Sequence, residues 1–385
     1  MDAYVQRINV MNILDEIGPA FAAKAAENDQ NDVFVQENFD ALKAHKMFSA
    51  MVPVELGGGG VSHSEMCDAV RRIGTYCSST ALAFSMHQHL IAAAVWNYKR
   101  GNPGKQLLEK VAAGELVLIS TGATDWLGSN GEVTKTEGGY QVSAHKYFAS
   151  GCPAGDLLIT SAPYDDPEDG RIVMHFPVSM TADRVTIEEN WQAMGMRGTG
   201  SHVVVLKDVF VPDAAIALKR PAEQFHPVWN TVLTVALPLI VSAYAGIAEA
   251  AAENARATAK GKTGDPARPY VLGEMENSLT TAQITHASMV SLADDLNFDA
   301  SEALTNEIVK RKTIAIKAAT ETTMKALEAS GGPGYMRGHV IERLVRDSFA
   351  SIFHPMQEKR QLLFTGRMAM GLPPVEGPSL AGPGQ

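Results

Sequence analysis

The sequence predicts an α+β protein built from three consecutive parts: a helical segment, a β-rich segment and a helical bundle. Three observations predict it. Apolar residues recur at three- and four-residue steps up to about residue 115, the period changes to two between about 116 and 225, and the helical period returns from 226 to about 371. The expected organisation is therefore an N-terminal helical domain (1–115), a middle β-domain (116–225), a C-terminal four-helix bundle (226–371) and a Pro/Gly-rich flexible tail (372–385).

Each element has its own signal. IGPAFAAKAAENDQN carries an apolar stripe at helical spacing. In MVPVELGGGGVSHSEMCDAVRRIG, Gly57 to Gly60 break the helix, and Ser62 with Glu65 three residues on forms a capping box for the next one. SSTALAFSMHQHLIAAAVWNY continues as a long apolar helix. In GGYQVSAHKYFASG, Tyr140, Val142 and Ala144 alternate with Gln141, Ser143 and His145, as in a half-buried strand. DLLITSA and VVVLKDVFVP read as further strands, with EGG and DDPEDG as turns. LTVALPLIVSAYAGIAEAAAENARATA is one long helix in which Pro238 predicts a kink or a late start. KGKTGDPARP is a loop, and two more long helices run to about Ser330, with Leu304, Ile308, Ala315 and Ala319 on one face. GGPGYMRG breaks the chain, and ERLVRDSFASIF forms a short helix that stops at His354-Pro355, because proline disfavours the α conformation in the residue before it. A histidine at such a helix end is a candidate for chemistry near neutral pH.

Composition narrows the function. The 385 residues are 45% apolar and 20% charged, with a net charge of −10 and no basic run. That balance argues against nucleic acid or an anionic membrane surface as partner, while leaving room for an anionic small ligand in a local basic pocket. Cys67, Cys77 and Cys152 lack any CxxC or His-Cys spacing, which argues against a disulfide framework and structural zinc. The stretch MDAYVQRINVMNILDEIG is amphipathic with acids, unlike a signal peptide, and no run of about 18 apolar residues is present, so no membrane span is expected and a cytoplasmic location is. No GxxxxGK[ST], no GxGxxG after a strand and no GxSxG occurs. His87 and His89, two apart on a helix, point roughly 200° away from each other and do not form a metal pair.

Four segments resemble the acyl-CoA dehydrogenase superfamily: VPVELGGGGVS, GGYQVSAHKYFASG, WQAMGMRGTGSHVVVLKDVFVP and ALEASGGPGYMRGHVIERLVRD, in the family's order and spread over about residues 10–370. The resemblance implies an N-terminal helical domain, a β-barrel-like middle and a C-terminal four-helix bundle, with a flavin (FAD or FMN) between the last two and a homotetrameric assembly. It places Phe148 beside the flavin ring and Ser150 at the ring edge. Ser120, Thr121 and Ser129 fall in LISTGATDWLGSN, which resembles the family's cofactor loop with its Glu-Pro pair replaced. Gly331 and Gly332 match the glycine pair that approaches the cofactor across a subunit interface. Arg346 and Asp347 match a pair with a structural role.

The chain departs from the dehydrogenase pattern where the chemistry is done. The family removes an α-proton of a CoA thioester with a glutamate, and the two positions that hold it in the family correspond to Pro355 and Ala236 here. The arginine before Phe-Gly is also replaced, by KGKTG. A second branch, the reduced-flavin monooxygenases similar to dibenzothiophene monooxygenase, carries a histidine eight residues after the arginine, the spacing of Arg346 and His354. Lys146, Phe148, Ser150 and Gly151 resemble that branch's strand as well. In this reading His354 is a proton donor or hydrogen-bond anchor, Ser150 bonds the flavin, and His87 or His89 is a second donor, since oxygen chemistry on a flavin needs a dry pocket and neutral donors. The substrate is then a small heteroaromatic, phenolic or sulfur compound, with a partner flavin reductase. The intact GGPGYMRGHVIERLVRD keeps a second reading open, an FAD-dependent acyl-CoA dehydrogenase acting on a CoA thioester with a displaced base such as Glu358. A third is a non-catalytic acyl-CoA or partner-binding protein.

Overall fold

The computed structural model describes residues 8–121, 127–262 and 264–375. Residues 122–126 of the LISTGATDWLGSN loop and residues 376–385 of the expected flexible tail lie outside the described residues. The helical part comprises α1 (Val10–Gln30), α2 (Gln36–Ala44), α3 (His63–Tyr76), α4 (Ser78–Lys99) and α5 (Lys105–Gly114). The capping box forms as its sequence predicts: Glu65 N–H donates to Ser62 Oγ at 3.3 Å, and Ser62 N–H donates to Glu65 Oε2 at 2.9 Å.

Among the described residues eight strands follow: β1 (Leu118–Ser120), β2 (Glu132–Thr136), β3 (Gly139–Lys146), β4 (Leu157–Asp166), β5 (Gly170–Ser179), β6 (Val185–Glu188), β7 (Val203–Pro212) and β8 (Leu218–Pro221). They form two four-stranded sheets, β1-β4-β5-β8 and β2-β3-β7-β6, around one shared core, which is the form the barrel-like expectation takes here. Tyr140 of β3 meets Tyr164 of β4 edge to face at 5.3 Å across that core. The alternation read from GGYQVSAHK holds, since Tyr140, Val142 and Ala144 are buried while Gln141 and His145 are exposed.

The third part holds three long helices, α6 (Val228–Ala259), α7 (Arg268–Leu292) and α8 (Glu302–Ser330), then the one-turn α9 (Gly332–Tyr335), α10 (Val340–Phe349) and α11 (Glu358–Ala369). Helix α10 packs against both α6 and α8, and α11 packs against α8. Of the two outcomes expected at Pro238, the late start does not occur: α6 begins ahead of it, at Val228, and its helical assignment continues past it. The hydroxyl of Ser242, one turn on, donates back to the Pro238 carbonyl at 2.9 Å. Burial explains the tolerance: an 18-residue window of α6 has mean hydropathy 1.9 and is 94% buried inside the protein. By length and composition this helix would reach across a membrane, although no membrane span was expected from the sequence, yet its surroundings are protein.

Helices α3 and α6 cross with their backbones in contact. A Cβ on Gly246 would lie 2.2 Å from the Arg71 carbonyl oxygen, and one on Gly74 would lie 2.7 Å from that of Ala243. At the other end, Arg346 of α10 grips α1: its Nη1 and Nη2 donate to the two Asp29 carboxylate oxygens at 3.0 and 2.6 Å, and Nε donates to Glu342 at 2.5 Å. Buried Asp347 accepts the Met196 N–H at 2.6 Å and ties α10 to the 191–202 stretch.

Candidate functional site

A cavity of about 110 Å³ lies where the three parts meet. Met86 and His89 enter it from α4, Ser120 from the end of β1, Phe148 and Ser150 from the turn after β3, and His354 and Pro355 from the chain beyond α10. Its remaining wall is one face of α6: Trp229, Val232, Leu233, Ala236, Leu237 and Ile240, the three- and four-residue spacing of a single helical stripe.

The turn at 148–151 is held tightly. Ala149 N–H donates to His202 O at 3.2 Å, and Gly151 N–H to Thr199 O at 2.8 Å, so the 199–202 stretch underlies it. Phe148 takes φ +58, an unfavourable region for a bulky side chain, and stands 51% exposed with its edge against Trp191 at 6.1 Å between centroids. An aromatic ring held out in a strained backbone conformation is the kind of feature that clusters at ligand sites.

His354 sits in extended conformation (φ −65, ψ 141) after the 3-10 turn Ala350–Phe353, as the following proline requires. Its Nε2 lies 2.6 Å from the Tyr244 hydroxyl. Tyr244 is buried on α6 and has no other hydrogen-bond partner among the described residues, so its proton goes to Nε2 and the imidazole proton resides on Nδ1. Burial, then the nearby charge of Lys312, pushes His354 down to about 3, leaving the ring neutral. Lys312, wholly buried on α8, donates to the carbonyls of His354 and Met356, each at 3.0 Å, and so fixes the path of the segment. Burial lowers its own pKa to about 8, the Glu358 charge opposing.

The two candidate histidines of α4 part company. His87 accepts the Leu118 N–H on Nδ1 at 2.9 Å and donates from Nε2 to Phe48 O at 2.8 Å, packed against Phe48. Both nitrogens are committed to joining α4 with β1, which corrects its candidacy as a donor in the site. His89 lines the cavity, and its Nδ1 lacks a well-formed hydrogen bond. Burial holds it neutral, down to about 4.

The remaining expected residues divide in the same way. Ser120 and Ser150 reach the cavity. Buried Thr121 instead meets Thr160 Oγ1 at 2.9 Å. The Ser129 hydroxyl donates to Ser161 O at 2.9 Å and accepts from Lys146 Nζ at 3.2 Å, inside the β-domain, so it is not available as a cofactor ligand as expected. Gly331 and Gly332 are exposed at the end of α8 and do not line the cavity. Glu358 is half-buried, pairs with Lys317 at 3.0 Å and does not line the cavity, which removes it as a displaced base there. Pro355 and Ala236, the two positions where the family carries its base, both line the cavity, and no described lining residue is a carboxylate.

Tyr244 and Lys312 escaped the sequence reading, though each leaves a signal. A lone tyrosine in the apolar run LPLIVSAYAGIAEAA needs a partner for its hydroxyl. A lysine four residues from both Ile308 and Ile316 sits on the buried stripe of its helix.

A hydroxyl-tipped β edge, a proffered aromatic ring, two neutral imidazoles and a flat aliphatic wall together fit a planar heteroaromatic ring with one polar edge. A site placed so, between a β-domain and a helical bundle, is where the acyl-CoA dehydrogenase resemblance implies a flavin, in the class of flavin-dependent oxidoreductases. The comparisons with known proteins agree. Residues 15–115 match the acyl-CoA dehydrogenase N-terminal domain, and residues 239–358 match the acyl-CoA dehydrogenase C-terminal domain. An L-evernosamine nitrososynthase from a Micromonospora species is 27% identical over 366 residues, covering 89% of this chain and 85% of that protein. The crystal structure of the nitrososynthase from Micromonospora carbonacea var. africana superposes with a TM-score of 0.87 at 25% identity, covering 97% of this chain and 100% of that one. KijD3, solved in complex with FMN and dTDP-3-amino-2,3,6-trideoxy-4-keto-3-methyl-D-glucose, shares the fold with a TM-score of 0.84 at 24% identity, over 95% of each chain. The chain belongs to the acyl-CoA dehydrogenase superfamily of flavin-dependent oxidoreductases.

Proposed function

We propose that this enzyme is a monooxygenase that uses reduced flavin, FMN or FAD, and O2 to oxidise a small organic substrate. The observation that carries the reading is the cavity's chemistry: a neutral imidazole faces it, and at both positions where a dehydrogenase would hold its carboxylate stand Pro355 and Ala236. Proton abstraction from a thioester needs a base of that kind, and a neutral histidine clamped by a phenol is poorly suited to the task. When bound, reduced flavin supplies two electrons to O2, so that one oxygen atom goes to the substrate and the other to water.

The chain's own residues provide the surroundings. Ser120, Ser150 and Phe148 would hold the ring from the β side, and the aliphatic face of α6 excludes water. His354 presents the proton on Nδ1 as a hydrogen-bond donor, and Tyr244 keeps it there by donating to Nε2. Lys312 fixes the His354 backbone and, by its charge, helps keep the ring neutral. His89 is the second polar group on the α4 side. The substrate we favour is an amine carried on a sugar, ahead of heteroaromatic, phenolic or sulfur compounds; a relative from Streptomyces peucetius, 25% identical over 383 residues, is an amino sugar nitrososynthase by name. The reading includes a partner reductase that delivers reduced flavin and assembly as a homotetramer.

The test is anaerobic reduction of flavin on the enzyme, followed by 18O2 and a panel of amino sugars, with product read by mass spectrometry. Label in the product supports oxygenation. Bleaching of bound oxidised FAD by acyl-CoA without O2 would establish the dehydrogenase reading instead, which the intact GGPGYMRGHVIERLVRD stretch keeps in view.

A further inference from the structure

The Ser150 hydroxyl is not free to choose its role. Beneath it lies a file of hydroxyls from the RGTGS stretch: Ser150 Oγ is 2.7 Å from Ser201 Oγ, which is 2.7 Å from Thr199 Oγ1, which is 2.9 Å from the Met196 carbonyl oxygen. All three side chains are buried. The Met196 carbonyl only accepts, and besides Trp191 Nε1–H at 3.0 Å and the Thr199 N–H at 3.1 Å it lies against Thr199 Oγ1, a contact between two oxygens that needs a hydrogen, so the single Thr199 hydroxyl proton is directed there. Ser201 must then donate to Thr199, and Ser150 must donate to Ser201. Proton direction along the whole file is thus set at its inner end, and Ser150 turns only oxygen lone pairs toward the cavity.

Across the cavity the polarity is reversed, since Tyr244 leaves His354 with its proton on Nδ1. The site therefore offers an acceptor from the β side and a donor from the helical side. A reduced flavin ring carries a hydrogen on its central nitrogen N5, whereas the oxidised ring has a lone pair there. An acceptor set against N5 gains a hydrogen bond with the first and a lone-pair repulsion with the second.

We propose that Thr199 and Ser201 are positioning residues that lock Ser150 as a hydrogen-bond acceptor and so make the site selective for reduced over oxidised flavin. The proposal rests on the reading of the cavity as a flavin site and adds to it the residues that set redox selectivity. It also accounts for the form of the RGTGS stretch. Gly200, at φ +55, takes a left-handed conformation between the two hydroxyl residues, where a side chain would be strained, so that both hydroxyls can join the file under Ser150.

Anaerobic titration of the full chain with FMN and with dithionite-reduced FMN, repeated with FAD, tests it. The wild-type protein should bind the reduced form tighter by about tenfold or more, the effect of one buried hydrogen bond gained rather than opposed. Ser201→Ala frees the Ser150 proton to turn toward the cavity, and the preference should fall by about tenfold, chiefly through tighter binding of the oxidised form. Thr199→Val should act in the same direction, and Thr199→Ser, which keeps the hydroxyl, should restore the wild-type preference. The potential of the bound flavin gives an independent readout that a purely structural role would not move: it should fall by about 30 mV for each tenfold loss of preference. An unchanged preference and potential in folded Ser201→Ala and Thr199→Val, or equal wild-type affinity for both forms, would overturn the proposal while leaving the flavin site standing. Failure of the wild-type protein to bind either form of either flavin would overturn the flavin reading itself, and this proposal with it.

Discussion

Lowering the pH from about 7 to about 5.5 should remove much of the folding stability of this protein. Five histidines have strongly depressed pKa values and are held neutral in the fold: desolvation pushes His87, His175 and His354 down to about 3, and His89 and His286 down to about 4. In the unfolded chain each would titrate near its ordinary value of about 6.5. A depressed folded pKa means that the unfolded state binds more protons throughout the intervening window. The stability each group contributes is therefore complete above about pH 6.5 and is lost as pH falls toward 3 to 4. One pH unit below 6.5, each histidine favours unfolding by about 1.4 kcal/mol, and the five together by about 7 kcal/mol. That is comparable with the whole stability of an ordinary domain, about 5–15 kcal/mol. Glu115 and Asp347 act in the opposite sense, because burial raises their pKa and the fold takes up their protons first. Urea unfolding followed by far-UV circular dichroism at half-unit steps between about pH 7.5 and 5 measures the slope. A midpoint that does not move between about pH 7 and 5.5 would refute the claim that the fold holds these imidazoles neutral, including the two at the cavity.

Other perturbations address the site and its frame. His354→Ala should lower the yield of oxygenated product per reduced flavin consumed by at least about tenfold while leaving flavin affinity nearly unchanged; unchanged coupling would remove His354 from the chemistry. Tyr244→Phe should release the imidazole proton from Nδ1, visible as a change in the 15N shifts of His354, and a wild-type signal already showing the proton on Nε2 would contradict the donor assignment. Arg346→Ala strands Asp29 and Glu342 and should cost about 3 kcal/mol in urea unfolding. Gly246→Ala must push α3 and α6 apart and should cost about 3 kcal/mol, read as a lowered thermal midpoint.

The order helices, sheets, helices was legible in the sequence, and for a local reason. A period of 3.6 or 2 needs only neighbouring residues, and caps and breakers such as Ser62 with Glu65, or His354-Pro355, act within a few residues of themselves. Locality could not decide at Pro238: propensity allows a late start there, and the packing around α6 lets the helix begin ahead of it, at Val228. It could not separate His87 from His89 either. Two residues apart on one helix, one is bonded to Phe48 and Leu118 and the other faces the cavity.

By itself the sequence determined the three-part fold, the superfamily, and the absence of a carboxylate at Pro355 and Ala236, because these depend on residue type and spacing along the chain. Only the tertiary structure decided which polar groups meet. Tyr244 and His354 are 110 positions apart, and Ser150 and Ser201 are 51 apart. The proton directions that give the cavity one acceptor and one donor follow from those meetings. A hydrogen bond specifies geometry in space, and no periodicity in a chain encodes a partner so far along it.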